Sequence, residues 1–220
     1  MQTGTQNPSG KLLNGSFTFL QEFLKHPLRI ASVVPSSRFL ERRIVETAGI
    51  HGANMVVELG PGIGGTTRAI LQAMPTEARL LSIELNPHLW ALVGRIDDSR
   101  LTTHLGNAGD LKAILSSLGV EAPDVIISGI PFVTMSREAV SSLLETIASV
   151  LAPGGRFVTY QVSSKIVSQR RSFQAPGELE VELVLRNIPP LRLLRWEKPI
   201  AEAGNGLNAG ERFAVFDARP

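Results

Sequence analysis

The sequence predicts an α/β fold: a doubly wound, mainly parallel sheet with an antiparallel edge, preceded by N-terminal amphipathic helices. Three observations carry that expectation. From residue 55 onward, five short apolar runs alternate with helix-period stretches, and strands linked through helices run parallel with right-handed crossovers. A glycine-rich loop follows the first of these strands, at the carboxyl edge where such sheets bind ligands. The end of the chain, residues 181–199 and then ERFAVFDAR, is strand rich and helix poor.

The elements follow in order. Residues 1–14, rich in Gly, Asn and Thr, read as a mobile N-terminus. Residues 15–50 read as a helical lid or docking segment. Ser16 offers an N-cap to FTFLQEFLK, and Pro27 limits that helix. At about 100° per residue, Phe17, Phe19, Leu20, Phe23 and Leu24 share one arc, opposite Thr18, Gln21, Glu22 and Lys25. After the loop PLRIASVVPSS, a second helix from about Arg38 to Ala48 stacks Leu40, Ile44 and Ala48. Residues 51–220 form the α/β unit, one structural unit with what precedes it. Its strand–helix pairs are MVVEL with TTRAILQAM, RLLSIEL with PHLWALVGRI, LTTHLG with DLKAILSSLG, and DVIISGI with SREAVSSLLETIASVL; GRFVTYQV is the fifth strand. The last runs suit a hairpin or edge closure, with their pairing left open between three candidates.

With 220 residues, 43% of them hydrophobic, the chain can bury one sizeable core. The absence of cysteine rules out disulfides and thiolate metal sites, and His26, His51, His88 and His104 form no metal-binding pattern. No metal is expected. No apolar run reaches the ~18 residues of a membrane span, and MQTGTQNPSGK lacks the features of a signal peptide, so the expected location is cytoplasmic. A net charge of +2 does not argue for nucleic acid. Basic residues are nevertheless clustered: Lys11, Lys25, Arg29, Arg38, Arg42 and Arg43 outnumber Glu22, Glu41 and Glu46 between residues 11 and 46, and Lys165, Arg170 and Arg171 form a second group. Such patches are either solvated surface or attractors of an anionic partner.

The stretch VVELGPGIGG poses the functional question. Gly60, Gly62 and Gly64, with Pro61 between the first two, allow backbone angles and close approaches that a Cβ forbids. A dinucleotide loop would place a pyrophosphate there. Glu58, two residues before the first glycine, would repel a phosphate and attract an ammonium group. Glu84 at the end of the second strand is placed to accept from two ribose hydroxyls. In GNAGD after the third strand, Asn107 is placed for an adenine amine, and Asp110 for capping the next helix. Leu85 and Ala108 complete the expected lining. Ribose, adenine and an ammonium-bearing amino acid together describe S-adenosylmethionine.

In order, ELGPGIG, Glu84, GNAGD, DVIISGIPF and LAPGGRF resemble motifs I, II, III, IV and post-IV of the class I S-adenosylmethionine-dependent methyltransferases, over roughly residues 55 to 165. The resemblance implies their Rossmann-like fold, that cofactor, and S-adenosylhomocysteine as product. Many relatives carry Asp where this chain has Asn107. The fourth motif, Ser128-Gly129-Ile130-Pro131-Phe132, stands where amino-methylating relatives often carry Asn-Pro-Pro-Tyr. By that likeness Ser128 and the carbonyls of Gly129 and Ile130 orient an amine, while Phe132 and Tyr160 host the developing positive charge. The alternative is that Pro131 and Phe132 end a strand and fill the core.

FLKHPLRIASVVPSSRFL, together with ELGPGIG, SGIPF and RNIPPLRLLRW, is similar to the soluble bacterial phospholipid N-methyltransferases, over approximately residues 16 to 198. That family converts phosphatidylethanolamine toward phosphatidylcholine, and close relatives act on ornithine lipids. The likeness implies a lipid substrate and peripheral attachment to the anionic inner face of the membrane. Phe19 and Phe23 would then contact lipid, and Ser36, Ser37 and Arg38 would receive its phosphate. Ser36 or Ser37 with Glu41 reads equally as a helix capping box. His26 is the one histidine near the expected lipid entrance. RNA adenine N6-methylation, small-molecule methylation and a non-catalytic binding module are the rival readings. Oligomeric state and the number of methyl transfers are open at this level.

Overall fold

The computed structural model of the chain describes residues 37–161, 179–185 and 190–200. The amphipathic segment with Phe19 and Phe23, Ser36, His26, the Lys165 cluster and the run ERFAVFDAR lie outside the described residues.

Among the described residues seven strands, β1 (Met55–Leu59), β2 (Arg79–Glu84), β3 (Leu101–Leu105), β4 (Val125–Ser128), β5 (Arg156–Gln161), β6 (Leu179–Val184) and β7 (Leu191–Glu197), form one sheet in the order β3-β2-β1-β4-β5-β7-β6. The first five run parallel; β7 lies antiparallel to both β5 and β6. The open pairing at the chain's end resolves here: the run at 191–197 inserts between β5 and the run at 179–184. Strand order reverses at β1, which pairs β2 on one side and β4 on the other. The loops after β1 and β4 therefore meet outside the carboxyl ends of the strands, at the topological switch point.

Both faces of the sheet's centre are covered, which is why β1, β2 and β4 read as mostly apolar runs. Val57, Leu59, Leu81, Ile126, Phe157, Leu194 and Trp196 pack on one face beneath α4 (Leu111–Ser117) and α5 (Arg137–Val150). Their neighbours Val56, Leu80, Val125, Ile127, Val158 and Leu193 face the other way, against α1 (Arg38–Ala48) and α2 (Gly65–Ala73). Each such buried side chain contributes about 1.5–3 kcal/mol relative to exposure. The short α3 (Pro87–Val93) flanks β2 and β3, capped by Asn86, whose side-chain oxygen accepts from the backbone N–H groups of His88 and Leu89.

Two capping expectations change. Ser37 is the N-cap of α1, accepting from the Leu40 N–H at 3.2 Å. Glu41 does not close a box with it, because one carboxylate oxygen sits 2.6 Å from where a Cβ on Gly65 would be, at the start of α2. Asp110 precedes α4 but makes no side-chain capping bond. The cap in this region comes earlier, from Asn107, whose side-chain oxygen accepts from the Gly109 N–H at 2.9 Å. This is an Asx turn two residues on, at the start of the short 3-10 turn Ala108–Asp110 that precedes α4.

Candidate functional site

The glycine loop turns sharply after β1. Gly60, Gly62 and Gly64 have φ of 72°, 58° and 84°, the left-handed region that favours glycine. At Gly60 a Cβ would meet the Ile130 side chain at 3.1 Å, so this residue also fits the loop against the one after β4. At Gly62 the Cβ position has nothing within 4 Å. Gly62 thus faces open space, and a ligand could lie against bare backbone there. Gly64 is the N-cap of α2 and offers no side-chain acceptor to that helix start.

Glu58 points beneath α2. The Ser82 and Thr67 hydroxyls both donate to its Oε2, at 2.5 and 2.7 Å, while Oε1 has no donor among the described residues. The group is 2% exposed. Burial pushes its carboxyl up to about 7, against the pull of the two hydroxyls. A cation brought to Oε1 would stabilise the ionised form. Glu84 is also buried, and burial raises its pKa too, opposed by backbone donors. Its two oxygens accept from Gly62 N at 3.3 Å and Asn86 N at 2.9 Å. The end of β2 is thereby tied to the middle of the glycine loop. Asn107 and Ala108 follow β3 directly, where the Gly106 N–H bonds the Glu84 carbonyl at 2.9 Å. The Asn107 amide nitrogen has no partner among the described residues, and Leu85 is half-buried beside Glu84.

The loop after β4 is best understood by accounting for its carbonyls. The Ser128 carbonyl accepts from the Thr159 hydroxyl at 3.0 Å. That of Ile130 accepts from Gln161 Nε2 at 2.8 Å, and that of Pro131 from the Thr134 amide and hydroxyl. Gly129 is the exception: among the described residues its carbonyl receives no donor. A Cβ on Gly129 would fall 2.6 Å from the Tyr160 hydroxyl and 2.7 Å from the Gly60 carbonyl oxygen. So the cofactor-side loop, the acceptor-side loop and Tyr160 converge on one residue. The Tyr160 and Thr66 hydroxyls are 3.5 Å apart. Ser128 is fully buried, and its hydroxyl accepts from the Ile130 N–H at 3.3 Å.

Phe132 corrects the expected aromatic wall. It is 1% exposed and packs in the core cluster with Leu111, Val140 and Leu144, so its ring is filler, and Tyr160 is the aromatic at the site. Arg38 opens α1, and its charge, with that of Arg68, acts on Glu41, whose pKa burial nonetheless raises. The Ser37 hydroxyl oxygen is engaged in its cap. Sequence reasoning missed four residues: Ser82, Thr67, Thr159 and Gln161. Ser82 and Thr159 interrupt apolar strands with polar side chains that are 1% exposed, which is the signal that could have found them. No cluster of metal-ligating side chains occurs among the described residues, and none of their helices is long and apolar enough to cross a membrane.

No protein-family model matches the chain. An ornithine lipid N-methyltransferase from Singulisphaera acidiphila is 33% identical over 176 residues, which span 79% of this chain and 91% of that protein. The ribosomal RNA small subunit methyltransferase A of Phenylobacterium zucineum is 32% identical over 95 residues, covering 42% of this chain but 32% of that one. Among solved structures, the N-methyltransferase NodS from Bradyrhizobium japonicum, in complex with S-adenosyl-l-homocysteine, matches with a TM-score of 0.63 over 84% of this chain and 98% of that chain. At 14% identity this last likeness is one of fold.

Proposed function

We propose a lipid head-group amine as the methyl acceptor, on the premise that this chain belongs to the family of the ornithine lipid N-methyltransferase, within the class I S-adenosylmethionine-dependent N-methyltransferases. S-adenosylmethionine is the cofactor and S-adenosylhomocysteine the product. The site suits that cofactor: open space beside Gly62, an unpartnered Glu58 oxygen for an ammonium, and buried Glu84 next to it for the ribose hydroxyls. Gly60 to Gly64 carry the amino-acid part, and Leu85, Asn107 and Ala108 flank the base. Once bound, S-adenosylmethionine supplies a sulfonium-activated methyl group.

The amine reading is carried by Gly129. A neutral amine must present its lone pair in line with the methyl group, which requires fixed acceptors for its N–H bonds. The free Gly129 carbonyl beside Gly60 and Tyr160 is such an acceptor, while the fully buried Ser128 hydroxyl braces the loop through the Ile130 N–H. As the amine gains charge, that carbonyl dipole and the Tyr160 ring stabilise it. No side chain here is assigned as base: the amine docks after losing its proton to water.

The lipid part rests on the relative's name and on the 91% of its length that the match covers. Residues 15–50 act as lid and dock, with Phe19 and Phe23 toward lipid and Ser36, Ser37 and Arg38 near its phosphate, at the cytoplasmic, anionic face of the membrane. Ornithine lipid is the first acceptor by the relative's name; phosphatidylethanolamine, toward phosphatidylcholine, is the second by motif resemblance. Purified protein, radiolabelled S-adenosylmethionine and vesicles containing both lipids decide between them. Label in either extracted lipid supports the reading; label in neither, with label in a ribosomal RNA fragment or nowhere, overturns it.

A further inference from the structure

We propose that Gln161 is a positioning residue for methyl transfer, setting the acceptor geometry of the β4 loop through a closed chain of hydrogen bonds; this rests on the amine reading above. Gln161 ends β5 and is 3% exposed. Its Oε1 accepts from the Phe132 N–H at 3.1 Å, and its Nε2 donates to the Ile130 carbonyl at 2.8 Å and the Thr159 hydroxyl at 2.9 Å. Thr159 in turn donates to the Ser128 carbonyl at 3.0 Å. The donors and acceptors agree in only one sense. Flipping the amide would aim its NH2 at a backbone N–H and its oxygen at a carbonyl, so the network fixes the orientation.

The chain grips the loop on both sides of Gly129: the Ser128 carbonyl is drawn to Thr159, and the Ile130 carbonyl and Phe132 N–H to Gln161. With the flanking peptides held, the Gly129 peptide is held too, and its unpartnered carbonyl stays available to an incoming amine. Gln161 itself touches no reacting atom. A satisfied buried network of this kind specifies one arrangement, and a site loosened by about 1 Å can lose roughly 100-fold in rate.

Three variants test this against both lipids in one vesicle. Gln161→Met keeps the volume and removes every hydrogen bond; the expected result is a kcat at least tenfold lower, with the calorimetric affinity for S-adenosylmethionine within twofold of wild type. Gln161→Glu adds a pH signature. Its ionised carboxylate cannot donate to Ile130, whereas the protonated acid can, so its rate relative to wild type rises from pH 8 to pH 6. The corresponding ratio for Gln161→Met stays flat. Thr159→Val, which cuts the network's other arm, lowers kcat in the same direction. If Gln161→Met loses cofactor affinity and thermal stability together while the folded enzyme keeps its kcat, Gln161 is only structural and the inference falls. An unchanged Gln161→Met overturns it as well. Wild type that methylates neither lipid overturns the amine-on-lipid reading and this inference with it, an outcome distinct from failure of the variants alone.

Discussion

Replacing Glu58 by Gln separates its cost to the fold from its use to the cofactor. In the free protein the carboxyl is pushed from 4.5 to about 7 by burial. Because folding raises this pKa, the stabilisation it represents is present below pH 4.5 and is lost as pH climbs through about 7. At about 1.36 kcal/mol per pKa unit, the difference corresponds to about 3 kcal/mol as an upper bound. The glutamine oxygen can still accept from Ser82 and Thr67, so the variant keeps those bonds without the charge. Denaturant unfolding should therefore show Glu58→Gln gaining about 1–3 kcal/mol on wild type between pH 5 and pH 8. Binding should move oppositely. Wild-type affinity for S-adenosylmethionine should rise roughly tenfold between pH 5.5 and pH 7, as the carboxylate ionises beneath a ligand amine that is still charged. The variant should bind more weakly and show no such rise. Calorimetry over that range is the assay. A wild-type affinity that ignores pH, or a Glu58→Gln variant that binds as tightly as wild type, would refute the pairing of Glu58 with the ligand ammonium.

Glu84→Ala should weaken S-adenosylmethionine binding about 100-fold by calorimetry, since it removes the buried carboxylate proposed to take the ribose hydroxyls, together with its bonds from the Gly62 and Asn86 N–H groups. Gly129→Ala must push the Gly60 carbonyl or the Tyr160 hydroxyl aside, because the new methyl would lie within 2.7 Å of both; turnover should fall at least tenfold and the melting temperature by several degrees. The double change Leu20→Glu with Phe23→Glu should abolish sedimentation with anionic vesicles while leaving calorimetric cofactor affinity at the wild-type value. Retained sedimentation would remove that segment from the docking role.

Most of the sheet was legible in advance because β1, β2, β4 and β5 are largely buried and read as mostly apolar runs, the first three of them followed by helices with their own period. MVVEL, RLLSIEL, LTTHLG, DVIISGI and GRFVTYQV all became strands at those places. The insertion of β7 between β5 and β6 was not legible, because pairing depends on which edges are vacant and not on local composition. Capping was read only coarsely: Ser37, Asn107 and Asp110 are all good cap residues by type, but only Ser37 and Asn107 accept a backbone N–H, from Leu40 and Gly109.

At the site, sequence alone determined the glycines and the two acids. Left-handed backbone demands glycine, and a carboxylate at a strand end declares itself by type and spacing. Tertiary structure decided the rest. It set Phe132 in the core, left Tyr160 at the mouth, and brought Thr159 and Gln161 across from the neighbouring strand to hold the loop around Gly129. Those roles arise from contacts between residues about 30 positions apart in the chain. Spacing within one segment encodes only what that segment's own backbone repeats, and a cross-strand hydrogen bond exists only once the sheet has set its register.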